Sequence, residues 1–426
     1  MSILLLMGIF LVLLALEVPV AFAMIFSALV FIMTGPGLPD TIVIQRMTGG
    51  LDSFPLLAIP LFVLAGHLFN RAGISERIFD FASAFAGHMR GGLAQVNIAA
   101  SIIFAGMSGV AQADAAGLGA VEIRQMRERG YSAGFSAAVT AASSIIGPII
   151  PPSVIMVIYA VTAQVSLTDL FLAGIVPGLL MGLSLMIMVN ILVRFGFEQA
   201  PRSSRASLSH LTGTFWKALP ALIAPVLLVA GMLTGVATPT ELGALIVVYA
   251  AVLGFVNREL TFRGLLDTLA MSAVTTGVLV FIIAAAFPFG WLISVQNLPG
   301  ILVTFMRSLT EDPVMLLLIL NIALLIAGLF METTAIILVA TPALLPLVLS
   351  YGIDPVHFGV VMIINLLIGA LTPPFGVILF ICKHIAQVSF GQMIRSILPF
   401  YIPLLVVLFL LTYCPQLVLW LPGLFR

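Results

Sequence analysis

The chain is written twice. Gly147 recurs 222 positions later as Gly369, and the same offset carries Ala105-Gly106 to Ala327-Gly328, Gly130 to Gly352, Pro151-Pro152 to Pro373-Pro374 and Pro177 to Pro399. Ala163-Gln164-Val165-Ser166 returns whole as Ala386-Gln387-Val388-Ser389, one residue out of step, as a single insertion produces. With 37 Gly and 25 Pro, isolated coincidences mean little. A colinear series at one offset is the mark of duplication, and it restricts the fold to two similar units. We read residues 1–200 as the first repeat, 201–217 as a polar cytoplasmic linker and 218–426 as the second repeat.

The solvent for these repeats follows from composition. Of the residues, 62% are hydrophobic and 8% charged, against about a quarter charged in soluble domains. The apolar runs last roughly fifteen to thirty residues, too long for the segments of about ten that build a membrane β-barrel. The expectation is an all-α polytopic membrane protein in contact with lipid. Seventeen basic residues cancel seventeen acidic ones, leaving no charge excess for nucleic acid. Residues 1–16 follow no Lys or Arg and run into a second apolar stretch, so they read as a retained first span, not a cleaved signal.

Charge placement orients the repeats. The loop after the Gly106 region holds Arg124, Arg127 and Arg129, whereas its counterpart at 344–352 has no basic residue. The positive-inside rule then puts equivalent loops on opposite faces, which requires an inverted repeat. With both termini outside, fourteen of the seventeen basic residues fall inside, leaving Arg46, Arg307 and Arg426 outside. Segments 74–89 and 299–309 are amphipathic; they read equally as interfacial arms or as connecting helices packed on neighbours.

Two pairs of segments are too polar or too interrupted for plain spans: 104–119 with 143–153, and 328–334 with 365–376. A Pro-Pro pair removes two amide donors and disfavours helix before it, so Ile150 and Thr372 should be unwound. Freed carbonyls in hydrocarbon are each several kcal/mol unfavourable unless buried in protein or lining a cavity. Paired interruptions of this kind point to a transport site with carbonyls available to a cation. Each half therefore reads as two short helices and a third span as scaffold, an amphipathic arm, a re-entrant hairpin and two closing spans, of which the first is the Pro-broken helix. Hydroxyl and amide groups flanking the breaks, Ser144, Ser153 and Asn365, are candidate substrate contacts.

Four acids lie in or beside the spans. A charge at mid-bilayer is unfavourable by about 2.5 to 3.5 kcal/mol on insertion scales. Asp114 and Glu332 fall in the hairpin interruptions and join the candidate substrate contacts; Glu17 and Glu241 sit where helices meet and suit a hinge or cap. Gly117 and Gly119 read as packing positions. No enzyme constellation, Walker loop or cofactor motif is found. His67, His88, His210, His357 and His384 are scattered, and Cys382 and Cys414 read as inert, so no transition-metal site is expected.

Three stretches carry a resemblance. They are Ser108-Gly-Val-Ala-Gln-Ala-Asp114-Ala-Ala-Gly117, Arg129-Gly-Tyr131, and the run from Ala138 through Gly147-Pro148-Ile-Ile-Pro-Pro-Ser153 to Tyr159, with Leu371-Thr-Pro-Pro-Phe-Gly376 matching later. The chain resembles, essentially end to end, the large membrane subunit of tripartite ATP-independent periplasmic (TRAP) transporters. It departs from the family's pattern at Glu122-Ile123-Arg124, where Ile-Pro is usual, and at Val377-Ile378. The resemblance implies a multi-pass protein of the bacterial inner membrane, importing an organic acid by a sodium-driven elevator mechanism. It implies two partners, a small four-helix membrane subunit on a separate chain and a periplasmic substrate-binding protein. It also implies a first sodium site from Ser108, Gly147, Ile150 and Pro152, and a second from Thr333, Gly369, Thr372 and Pro374, with Asp114 beside the substrate. The alternative reading is a sodium- or proton-coupled dicarboxylate symporter of inverted-repeat elevator fold that needs no binding protein.

Overall fold

The computed structural model describes residues 3–35, 39, 41–199 and 205–425, and its regular structure over these is helical throughout. The first half opens with α1 (Ile3–Ala15), α2 (Val20–Thr34), α3 (Thr41–Leu51), a 3-10 turn at Phe54–Leu57 and α4 (Ala58–Arg71). Next come the arm α5 (Ile74–Ala86), a helical hairpin α6 (Leu93–Ser108), α7 (Ala111–Ala116) and α8 (Leu118–Glu128), and the interrupted pair α9 (Ala133–Ser144) and α10 (Val154–Ala163). Helix α11 (Leu167–Arg194) closes the half. The second half runs α12 (Leu208–Leu233), α13 (Pro239–Val256), α14 (Phe262–Val295) and the arm α15 (Leu298–Leu309). A hairpin α16 (Pro313–Phe330) and α17 (Thr333–Ser350), the interrupted pair α18 (Pro355–Ala370) and α19 (Val377–Ala386), then α20 (Phe390–Tyr413) and α21 (Pro415–Leu424) complete it. Among the described residues, eight helical segments are long and apolar enough to cross a membrane. The chain is an all-helical multi-pass membrane protein.

The duplicated tetrapeptide has a structural reason. Gln164 and Gln387 end α10 and α19 in the left-handed conformation, both at φ 54°. Two residues later Ser166 and Ser389 cap α11 and α20 through their hydroxyls. Each copy is a helix stop followed by a helix start, which fixes a sharp reversal. Glu241 closes a capping box with Thr238 at the head of α13, and Glu17 takes φ 60° between α1 and α2. These are cap and turn roles, as their positions suggested.

Ser207 caps α12, so 208–217 is helical and the expected linker is shorter than 201–217; its residues 201–204 lie outside the described residues. The amphipathic α5 buries one face against α6 and α12, and α15 packs on α17 and α14. Both arms thus pack on neighbouring helices, with Met306 the one buried residue of α15.

The two interrupted pairs form the centre. Helix α9 packs on α19, and α10 packs on α18. Were the pairs parallel, α9 would lie beside α18; the observed partners are those of an antiparallel couple. The hairpins join reciprocally: α10 of the first half meets α17 of the second, and α19 of the second meets α7 and α8 of the first. Around this knot, α2, α3, α4, α13 and the 34-residue α14 pack on one another. At 1.5 Å rise per residue, α14 is about 51 Å long, well beyond the ~30 Å hydrocarbon core. Helices α9, α10 and α19 are about 18, 15 and 15 Å long, so each reaches about halfway.

Candidate functional site

The first break is the non-helical stretch 145–153, containing Ile150, and the second is 371–376, containing Thr372. Both Pro151-Pro152 and Pro373-Pro374 are joined by cis peptide bonds. In the first break the Ser153 hydroxyl donates to the Pro148 carbonyl and accepts from the Met156 amide, sealing one freed acceptor and starting α10. In the second, the Tyr401 hydroxyl from α20 donates to the Leu371 carbonyl. The Thr372 hydroxyl donates to the Ile368 carbonyl at 2.8 Å, which leaves its oxygen lone pairs as acceptors.

Each hairpin touches the interrupted pair of its own half. Gly109, directly after Ser108, has φ +64°, and a Cβ there would stand 2.4 Å from the Pro152 carbonyl oxygen. Only glycine satisfies both the backbone angle and that approach. The side chain of Ser108 itself lies outside the described residues. A Cβ on Gly147 would stand 2.1 Å from a carboxylate oxygen of Asp114, so the first break and Asp114 are adjacent. In the second half a Cβ on Gly369 would meet the Gly328 backbone, with its Cα at 2.7 Å. The repeated Gly147, Gly328 and Gly369 are thus close-contact points between each hairpin and the interrupted pair of its half.

Other sequence candidates hold protein together. Glu332 is the N-cap of α17: its carboxylate accepts from the Ala335 amide and the Thr334 hydroxyl. Thr333 is buried in the first turn behind it. Ser144 is buried, with its hydroxyl on the Ala141 carbonyl. Asn365 is fully buried and donates to the Asn321 carbonyl and side-chain oxygens at 2.9 and 2.8 Å. In this arrangement Ser144, Ser153 and Asn365 face protein and not open space. The breaks differ in exposure: the first is buried along nearly its whole length, whereas Pro374 and Phe375 in the second are exposed.

Several stabilising residues were not singled out from sequence. Asn97 and Ser101 of α6 reach Thr140 and Ser143 of α9 through hydrogen bonds of 2.7 to 3.0 Å. Asn321 of α16 joins Asn365 of α18 to Thr412 of α20. Each half therefore pins the first arm of its hairpin to the helix before its break by a buried polar network; the signal was amides and hydroxyls inside apolar helices at matching places in the repeat. Helix α11 presents Gly174, Gly178 and Gly182, where added Cβ atoms would strike Ile149, Ile150 and Ile102. This four-residue spacing of glycines lets α11 press against the first break.

The halves lock across the centre. The Tyr159 hydroxyl of α10 donates to the Pro355 carbonyl at 2.7 Å, and its ring occupies the space a Cβ on Gly359 would need. In the reverse direction Arg127 of α8 donates to the Ala386 carbonyl at the end of α19, where a cation suits the helix dipole. Glu122, the departure from the family pattern, is 1% exposed on α8. One of its oxygens has no hydrogen-bond partner among the described residues.

This geometry can be set against known proteins. A family model described as "Tripartite ATP-independent periplasmic transporter, DctM component" matches residues 7–417. The chain belongs to this family. The sialic acid TRAP transporter large permease SiaM of Vibrio cholerae is 42% identical over 409 residues, covering 96% of this chain and 95% of that protein. The C4-dicarboxylate TRAP transporter large permease DctM of Pseudomonas aeruginosa is 37% identical over 373 residues, covering 87% of each chain. Among solved structures, the Alcanivorax borkumensis YdaH transporter aligns with a TM-score of 0.61 at 16% identity, covering 87% of this chain and 86% of that one. That likeness bears on fold alone. The protein is therefore a TRAP large permease, a transporter subunit and not an enzyme.

Proposed function

We propose that this large permease imports an organic acid across the bacterial inner membrane, driven by sodium and supplied by a periplasmic binding protein. A small four-helix subunit on a separate chain completes the membrane unit. The observation that carries this reading is that each hairpin lies against the interrupted pair of its own half, at Gly109 with Pro152 and at Gly328 with Gly369 in the last turn of α18. Backbone carbonyls freed at such places are hard oxygen ligands of the sort an alkali cation takes. Ser108, Gly147, Ile150 and Pro152 form the first sodium site, and Thr333, Gly369, Thr372 and Pro374 the second. Asp114, beside Gly147, supports the substrate region.

The halves are an inverted repeat, and the antiparallel pairing of the broken helices supports this. The re-entrant hairpins and broken helices, tied by Tyr159 and Arg127, move as one block against a scaffold that includes α2, α4, α13 and α14. Sodium in both breaks organises the carbonyls and offsets the carboxylate of the acid, which otherwise enters a low-dielectric site unpaired. Each net positive charge carried inward gains about 2.3 kcal/mol per 100 mV of membrane potential. Sialic acid, other sugar acids and C4-dicarboxylates are the substrate classes to test. The test is an uptake screen in proteoliposomes holding both membrane subunits and the cognate binding protein, with and without sodium. Accumulation of at least one acid only with sodium supports the reading; sodium-independent uptake, or uptake indifferent to the binding protein, overturns it.

A further inference from the structure

Two cavities lie at the seam between the scaffold and the central knot. The first, of about 630 Å³, is bounded by α3, the end of α10, the last turns of α14 and α17. The second, of about 610 Å³, is bounded by the end of α4, the start of α5, the first turns of α14 and the tip of the first hairpin. The repeat offset maps one onto the other. Arg46, Gly49 and Leu338 line the first; their counterparts 222 positions away, Thr268, Met271 and Ala116, line the second. The distribution of basic residues puts the first on the outer face and the second on the inner.

The mates differ in charge. The first cavity holds Arg46, whose guanidinium carbon sits 4.7 Å from the centre of the Trp291 ring. Among the described residues no carboxylate pairs with Arg46, and no acidic residue lines that cavity. At the equivalent place in the second stands Thr268, and the arginine there, Arg71, lies 3.5 Å from Asp267, with Glu76 also in the wall. An aromatic face holds a guanidinium while leaving its in-plane N–H fork open, and that fork matches a carboxylate.

We propose that the Arg46 cavity is the receiving site for the carboxylate of the incoming acid, and that its mate, with arginine already neutralised, releases the acid. This rests on the organic-acid reading above and adds a direction to it: one vestibule attracts an anion, the other does not hold it. The cavity walls belong to both scaffold and knot, so relative movement of the two reshapes each vestibule.

The test reads the charge of the cavity without requiring transport. In the complex with its small subunit, Cys382 and Cys414 are replaced by Ala and Ser294→Cys places one exposed thiol in the first cavity. Its rates of reaction with an anionic sulfonatoethyl and with a neutral methyl methanethiosulfonate are compared. We expect the anionic-to-neutral rate ratio to fall about five- to tenfold in Arg46→Gln and to be retained in Arg46→Lys. Sialic acid or succinate should slow labelling with Arg46 present, whereas neutral N-acetylglucosamine should not. An unchanged ratio in Arg46→Gln, no protection by either acid, or a thiol shielded from both reagents overturns the proposal. Because the labelling needs no sodium gradient, its outcome is separate from that of the uptake screen.

Discussion

Gly369→Ala probes the contact on which the second sodium site depends. The new Cβ would stand 2.7 Å from the Cα of Gly328, 2.9 Å from its carbonyl carbon and 3.2 Å from its oxygen. All three are backbone atoms, so no side-chain rotation relieves the clash, and ordinary contact requires about 0.7 Å of separation. Overpacking of this kind is unfavourable by about 1 to 3 kcal/mol. Alanine recovers up to about 1 kcal/mol over glycine inside a helix, and Gly369 is in the last turn of α18. The net destabilisation is therefore about 0 to 3 kcal/mol. If the hairpin and break separate to accommodate the methyl, the sodium concentration for half-maximal uptake rises on the order of tenfold, since about 1.4 kcal/mol is a factor of ten. Gly277→Ala is the control: nothing lies within 4 Å of its added Cβ, so only the helix gain operates. The assay is sodium-dependent uptake in proteoliposomes, with thermal unfolding of the same preparations. Should Gly369→Ala melt as high as Gly277→Ala and keep the wild-type sodium dependence, the reasoning fails.

Further outcomes follow from the same geometry. Ser108→Ala or Thr372→Val should raise the half-saturating sodium concentration with expression intact; unchanged values in both remove the assignment. Asn365→Ala strips two hydrogen bonds from buried Asn321 oxygens and should destabilise by about 1 to 3 kcal/mol, visible as a lower melting temperature. Glu122→Gln removes a buried carboxyl near Asp114 and should hold or raise the melting temperature; a clear drop would show that the carboxyl is needed in place.

The sequence announced the repeat, the helical class and both breaks because these are written in local terms. Pro-Pro pairs stop a helix wherever they fall, and Gly109, Gly147 and Gly369 are glycine because backbone or a carboxylate comes close. The copied Gln164–Ser166 reversal was visible as a tetrapeptide before its capping role was. The arginine count yielded an expected orientation but made Arg127 only a topological marker, whereas its contact with Ala386 depends on helices far apart in sequence. Ser144, Ser153 and Asn365 illustrate the limit: a hydroxyl or amide near a break looks alike whether it meets substrate or a neighbouring carbonyl, and only tertiary packing distinguishes them. Arg46 was assigned to the outer face, but the cavity around it needs α3, α10, α14 and α17 brought together.

The most direct measurement is uptake of labelled acid, with both partner proteins present, into vesicles carrying an imposed inward sodium gradient. Accumulation above equilibrium that collapses when a sodium ionophore is added is the result expected here. Equal accumulation with potassium in place of sodium on both sides would contradict the account.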